Sequence, residues 1–97
     1  MSGNTLHILR SSPFADKQAD LMVNYMSVND SVVLIDDGCY LLHHHNLKKL
    51  LEKHTQLYAI ESHVDARALE SNQAVSLISL ATLNALVFSH HNSVTWA

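Results

Sequence analysis

Cys39 is the single cysteine of this 97-residue chain, and it follows directly on Asp36-Asp37-Gly38. A lone thiol there could act as a nucleophile or carry a persulfide, because the thiolate is the reactive form of sulfur in both roles. Two neighbouring carboxylates disfavour that thiolate, and an Asp-Gly turn followed by a small, partly buried thiol accounts for the same residues. Eight histidines suggest metal chemistry, centred on His43-His44-His45. Consecutive side chains project in different directions, however, so the run lacks the i, i+4 spacing that lets two imidazoles share an ion. There is no H-E-x-x-H motif and no second cysteine for a C-x-x-C pair. We therefore expect no metal and no cofactor, and read the triplet as a solvated loop. His90-His91 suits a helix C-terminus, where cationic or polar groups are favourable. Ser11-Ser12 ahead of a helix could cradle an anion, but the glycines of a phosphate loop are missing and capping alone explains them.

The elements that would position these residues alternate along the chain. Leu6–Leu9 reads as a strand stopped by Ser11-Ser12-Pro13. Ser12 as cap and Pro13 at the first helical position open a helix. Phe14, Leu21, Met22, Tyr25 and Met26 would face the sheet, with Asp16, Lys17 and Asp20 in water. Val32-Val33-Leu34-Ile35 has the continuous aliphatic pattern of a strand covered on both faces. Leu47, Leu50 and Leu51 form the apolar stripe of a helix over about 46–54, and Leu57–Ile60 is a third strand. Ser62 with Asp65 resembles a capping box that opens a short helix through Leu69. Val75–Ile78 reads as a fourth strand, Leu80–Ser89 as a last helix, and Val94-Thr95-Trp96 as a final edge strand. Strands and helices in alternation, joined by short connections, predict a small three-layer α/β/α domain with a mostly parallel sheet of four to five strands. Asp36, Asp37, Gly38 and Cys39 would then line a cleft beyond the carboxyl ends of the strands.

Composition bounds the function. Nine acids against six bases give a net charge of −3, with no basic cluster to displace counterions from phosphates, so direct nucleic-acid binding is not expected. A single small domain over residues 1–97 is expected from the length. The most apolar stretch, Leu77–Phe88, is broken by Ser79, Thr82 and Asn84 and falls short of the about 20 residues a membrane span requires. One cysteine excludes an internal disulfide, and Met1–Thr5 lacks a positively charged leader, so a cytoplasmic location is expected. From Ser71 to Ala97 there is no Asp, Glu, Lys or Arg at all. A helix apolar nearly all round in so small a domain points to burial in an oligomer, with Leu80, Leu83, Leu86, Val87, Phe88 and Trp96 as the expected interface.

Several of these landmarks together resemble the TusB/DsrH family. They are Leu6-His7-Ile8-Leu9 with Ser12-Pro13-Phe14, the segment DSVVLIDDG from Asp30 to Gly38, LYAIESHVDARAL from Leu57 to Leu69, and the aromatic end at Trp96. The resemblance covers residues 5 to 96 and implies a DsrE-like α/β fold. It also implies a heterohexamer with TusC/DsrF-like and TusD/DsrE-like subunits, exchanging sulfur with TusA-like and TusE/DsrC-like proteins. In TusBCD the relay ends in 2-thiolation of the tRNA wobble uridine; in DsrEFH it serves sulfur oxidation. The main sulfur-accepting cysteine belongs to the TusD/DsrE-type partner, so no catalytic residue carries over to this chain, which is not expected to be catalytic alone. The alternatives are a self-sufficient persulfide carrier using Cys39, or a homo-oligomeric binding module of the same fold.

Overall fold

The computed structural model describes residues 4–27, 29–53 and 55–97. Five strands carry the architecture: β1 (Thr5–Leu9), β2 (Ser31–Leu34), β3 (Gln56–Ile60), β4 (Val75–Ile78) and β5 (Asn92–Trp96). The helices between them are α1 (Gln18–Tyr25), α2 (Asn46–Glu52), α3 (Glu61–Ala66) and α4 (Leu80–Ser89), with a 3-10 helix at Asp36–His43. The strands form one sheet in the order β4-β3-β2-β1-β5, and every neighbouring pair is parallel. The chain steps outward from β1 to β4 and then returns across the whole sheet, through α4, to lay β5 beside β1.

Period-2 alternation divides the strand residues between two apolar layers. Leu9, Val32, Leu34, Leu57, Ala59 and Val75 pack with Ala19, Met22, Val23 and Met26 of α1, Leu47 and Leu50 of α2, and Val64 of α3. The other face offers Leu6, Val33 and Ile60, flanked by Ile8, Ile35, Tyr58 and Ile78, and is met by Leu83, Leu86 and Val87 of α4. Ser79 caps α4 by accepting the Thr82 N–H at 3.2 Å.

Local boundaries differ from the sequence reading in instructive places. Helix α1 starts at Gln18 rather than after Ser12, because Ser12 turns the chain by accepting the Phe14 N–H and Asp16 Oδ1 takes the Gln18 N–H. Its buried face is Ala19, Met22, Val23 and Met26, while Phe14, Leu21 and Tyr25 stand exposed. Helix α3 starts at Glu61 after Ile60, without a side-chain cap, so Ser62 lies inside it. It stops before Ala68, whose φ of 52° breaks the helix. The Asp36–His43 stretch is a 3-10 helix rather than a turn and a solvated loop. The end of the second predicted helix at His54 lies outside the described residues.

A buried polar chain ties β5 to the sheet. His7 on β1 is fully buried; its Nε2 lies 2.8 Å from Asp30 Oδ2, and its Nδ1 accepts the Trp96 indole N–H at 3.0 Å. An indole nitrogen only donates, so the neutral ring carries its proton on Nε2 and gives it to Asp30. Asp30 also accepts the backbone N–H groups of Thr5 and Ser27. Burial pushes its carboxyl up, but the hydrogen bonds from His7, Ser27 and Thr5 outweigh that and hold it below the ordinary aspartate value. A carboxyl lowered in the folded state stabilises the fold above its unfolded value near 3.9, and that contribution is lost as pH falls through the lower folded value. Asp30→Asn should therefore cost about 1–3 kcal/mol at neutral pH. Urea titrations followed by the fluorescence of Trp96, the one tryptophan, should show the gap from wild type closing below about pH 4.

Candidate functional site

Ligands of open parallel sheets bind beyond the carboxyl ends of the strands, near the point where the strand order reverses. Here β1 leads into Arg10, β2 into Asp36 and Asp37, and β3 into α3 with His63 and Arg67. The Asp36 backbone N–H donates to His63 Nδ1 at 2.9 Å, which leaves the neutral imidazole proton on Nε2. Arg10 Nε lies 3.4 Å from Asp36 Oδ2, and Arg67 Nε donates to Asp37 Oδ1 at 3.0 Å. Arg67 Nη1 further donates to the His63 carbonyl at 3.2 Å. Asp36 adopts φ 47°, a left-handed conformation that costs a non-glycine residue energy and turns its side chain toward Arg10 and His63.

The four residues expected in the cleft separate into two pairs. Asp36 and Asp37 face solvent with their cationic partners. Gly38 and Cys39 are buried beneath them, a correction to the sequence reading. Gly38 donates its N–H to the Ile35 and Arg10 carbonyls at 2.8 and 3.0 Å, and a Cβ there would collide with the Leu9 carbonyl oxygen. The glycine is needed for this close approach to β1. Cys39 has no exposed surface, and its thiol lies 3.6 Å from the Leu34 carbonyl, to which it donates. Burial raises the thiol to about 11, Arg67 opposing and Asp36 and Asp37 adding to the rise. The strand ends therefore present a charge-balanced set of hydrogen-bonding groups, with the one thiol held protonated behind them.

The remaining sequence candidates are accounted for locally. Ser11 donates to Asp16 Oδ1, and Ser12 accepts from Phe14, so both hydroxyls serve the loop before α1. His44 Nδ1 accepts the Asn46 N–H, its ring is 4.1 Å from that of His45, and Phe14 packs edge-on to it at 4.8 Å. Burial lowers the His44 pKa, with His45 adding to that effect. Asp20 accepts the Asn46 amide at 2.7 Å, and this bond leads the effects that hold its carboxyl low. Among the described residues no group of three His, Cys, Asp or Glu is placed to hold a metal ion. His90 follows α4 as its C-cap, with Nδ1 2.7 Å from the Leu86 carbonyl and Nε2 3.1 Å from Ser31 Oγ.

The family model described as DsrH like protein matches residues 11–93, which takes in all the elements from α1 to α4. The chain belongs to the DsrH-like family. It is a DsrH/TusB-type sulfur-relay subunit. The crystal structure of the ychN protein from E. coli superposes with a TM-score of 0.79 at 11% identity, over 97% of this chain and 99% of that one. That likeness shows a shared DsrE-like fold. No curated protein matches the sequence.

Within this DsrH-like chain the six residues expected at an interface take different positions. Leu83, Leu86 and Val87 are half-buried against the sheet as the inner face of α4. Trp96 lies on the opposite side of the sheet, stacked on His7 and edge-on to Tyr25. Leu80 and Phe88 are the ones that project from α4, 55% and 90% exposed. Sequence reasoning missed the His7–Asp30–Trp96 chain; the available signal was a histidine inside the apolar strand Leu6–Leu9, on the face of Leu9, where an imidazole needs partners.

Two outcomes follow from the packing beneath the strand ends. Gly38→Ala should destabilise the fold by about 2–4 kcal/mol in urea titrations, because the collision is with backbone that cannot rotate away. Cys39 should resist iodoacetamide at neutral pH in the native protein and react once urea unfolds it, which intact-mass spectrometry reads directly.

Proposed function

We propose that this chain is a non-catalytic subunit of a cytoplasmic sulfurtransferase complex that relays persulfide sulfur toward 2-thiolation of the tRNA wobble uridine. Its partners are TusC/DsrF-like and TusD/DsrE-like subunits in a heterohexamer, which exchanges sulfur with TusA-like and TusE/DsrC-like proteins. The observation that carries this reading is the combination of a DsrH-like chain with its one thiol buried and protonated. A relay subunit of this kind contributes structure and docking surface, and the sulfur resides on a partner's cysteine. The burial of Cys39 weighs against the self-sufficient carrier, since a persulfide donor must reach a thiolate. Among the described residues no helix is long and apolar enough to cross a membrane.

The outer side of α4, with Leu80 and Phe88 exposed and no charge from Ser71 to Ala97, supports docking of a partner subunit there. Native mass spectrometry of the tagged chain purified from its own cells under gentle salt should find two similarly small α/β proteins in equal amounts. A lone monomer or homodimer would overturn the reading. Phe88→Asp should reduce partner recovery at least tenfold while leaving the far-ultraviolet circular dichroism unchanged, because its side chain touches solvent rather than the sheet. Loss of 2-thiouridine from tRNA hydrolysates on deletion supports the thiolation branch, and its persistence favours sulfur oxidation.

A further inference from the structure

β5 is an edge strand with an unusual lack of protection. Its bonds to β1 start with the Asn92 N–H on the Asn4 carbonyl at 3.1 Å and end with the Arg10 N–H on the Trp96 carbonyl at 3.0 Å. In a parallel ladder, residues 92, 94 and 96 therefore bond inward, and the N–H and C=O groups of Ser93 and Thr95 point away from the sheet. Edge strands are normally blunted by a lysine, a proline, a bulge or an inward charge. Asn92-Ser93-Val94-Thr95-Trp96 has no charged residue and no proline, and it pairs with β1 residue for residue without a bulge.

The strand is also held ready. The indole of Trp96 is bonded to His7, the His91 N–H donates to Asn4 Oδ1, and His90 reaches Ser31. Beside it α1 turns Leu21 and Tyr25 outward, 53% and 69% exposed, and the Tyr25 ring lies 5.9 Å edge-on to Trp96. Val94 shares this face of β5 and is exposed too. Outward backbone groups call for another strand, and exposed apolar side chains beside them would close over it.

We infer that β5 pairs antiparallel with β5 of a second copy of this chain, about a two-fold axis through Val94. Only one antiparallel register uses all the outward groups of a strand whose free positions are Ser93 and Thr95. It sets Ser93 opposite Thr95 of the copy, and the reverse, as two hydrogen-bonded pairs, with Val94 facing Val94 as the non-hydrogen-bonded pair between them. The edge is thus self-complementary, as an isologous contact requires. All nine acids precede residue 71, so the pairing sets no like charges opposite one another across the strands despite the net charge of −3 on each chain. The inference stands on the strand geometry and does not rest on the sulfur-relay reading.

Cross-linking in the assembly as purified from its own cells tests the register. Facing residues of a non-hydrogen-bonded pair have Cα atoms about 4.5 Å apart, within reach of a disulfide. Val94→Cys, oxidised with copper-phenanthroline, should give a covalent species of twice the chain mass containing this chain alone. Ser93→Cys, whose counterpart is displaced along the strand, should cross-link at least tenfold less, and buried Cys39 offers no competing thiol. Thr95→Pro removes only an outward N–H, so it should abolish the pairing detected by light scattering while circular dichroism stays unchanged. No cross-link at 94, equal cross-linking at 93, or an association untouched by folded Thr95→Pro would overturn the inference. Recovery of two partner subunits without the cross-link would sink the pairing and leave the relay reading; a cross-linked pair without partners would do the reverse.

Discussion

A parallel sheet must be covered on both faces, and this chain meets that requirement unequally. Three helices and a 3-10 segment cover one face, while α4 alone returns across the other to deliver β5. Most of the molecule's unusual features follow from that crossing. The inner side of α4 is spent on the sheet through Leu83, Leu86 and Val87. Its outer side exposes Leu80 and Phe88, with no charged residue in the last 27 positions to solvate it. A subunit built to be covered by other chains tolerates such a surface, whereas an isolated monomer exposes it to aggregation.

The strand that α4 delivers needs an anchor, since an edge strand has a ladder on one side only. The His7–Asp30–Trp96 chain supplies it from within the sheet. Each member satisfies a neighbour that burial would otherwise penalise, and Asp30 also orders the N–H groups of Thr5 and Ser27. The histidine is thus a structural part, and the polar chain links the start of β2 to the end of β5 across β1. At the opposite end of the strands, Asp36 and Asp37 are neutralised by Arg10 and Arg67 while Gly38 lets the 3-10 helix lie directly on β1. That close approach is also what seals Cys39 away.

The strands, α2 and α4 were legible in the sequence because each is written in local periodicity. Val32–Leu34 has the pattern of a doubly covered strand, and Leu80–Ser89 that of a helix apolar nearly all round. The family was legible as well, in the order and spacing of these segments and in DSVVLIDDG. What periodicity could not resolve was helix phase where two apolar stripes compete. On α1 both Leu21/Tyr25 and Ala19/Val23 recur four residues apart, and the sheet accepts the smaller pair.

The amino-acid sequence by itself determined the five strands and the four α-helices between them, the α/β class, the family and the charge-free C-terminal region, because these depend on neighbours a few residues apart. Only the tertiary structure decided which side of each helix is buried, that Cys39 lies under the strand ends rather than in them, and that His7 meets both Asp30 and Trp96. Those outcomes depend on contacts between residues far apart in the chain, 23 and 89 positions for the two bonds of His7, set by strand order and by the return of α4, which no local pattern encodes.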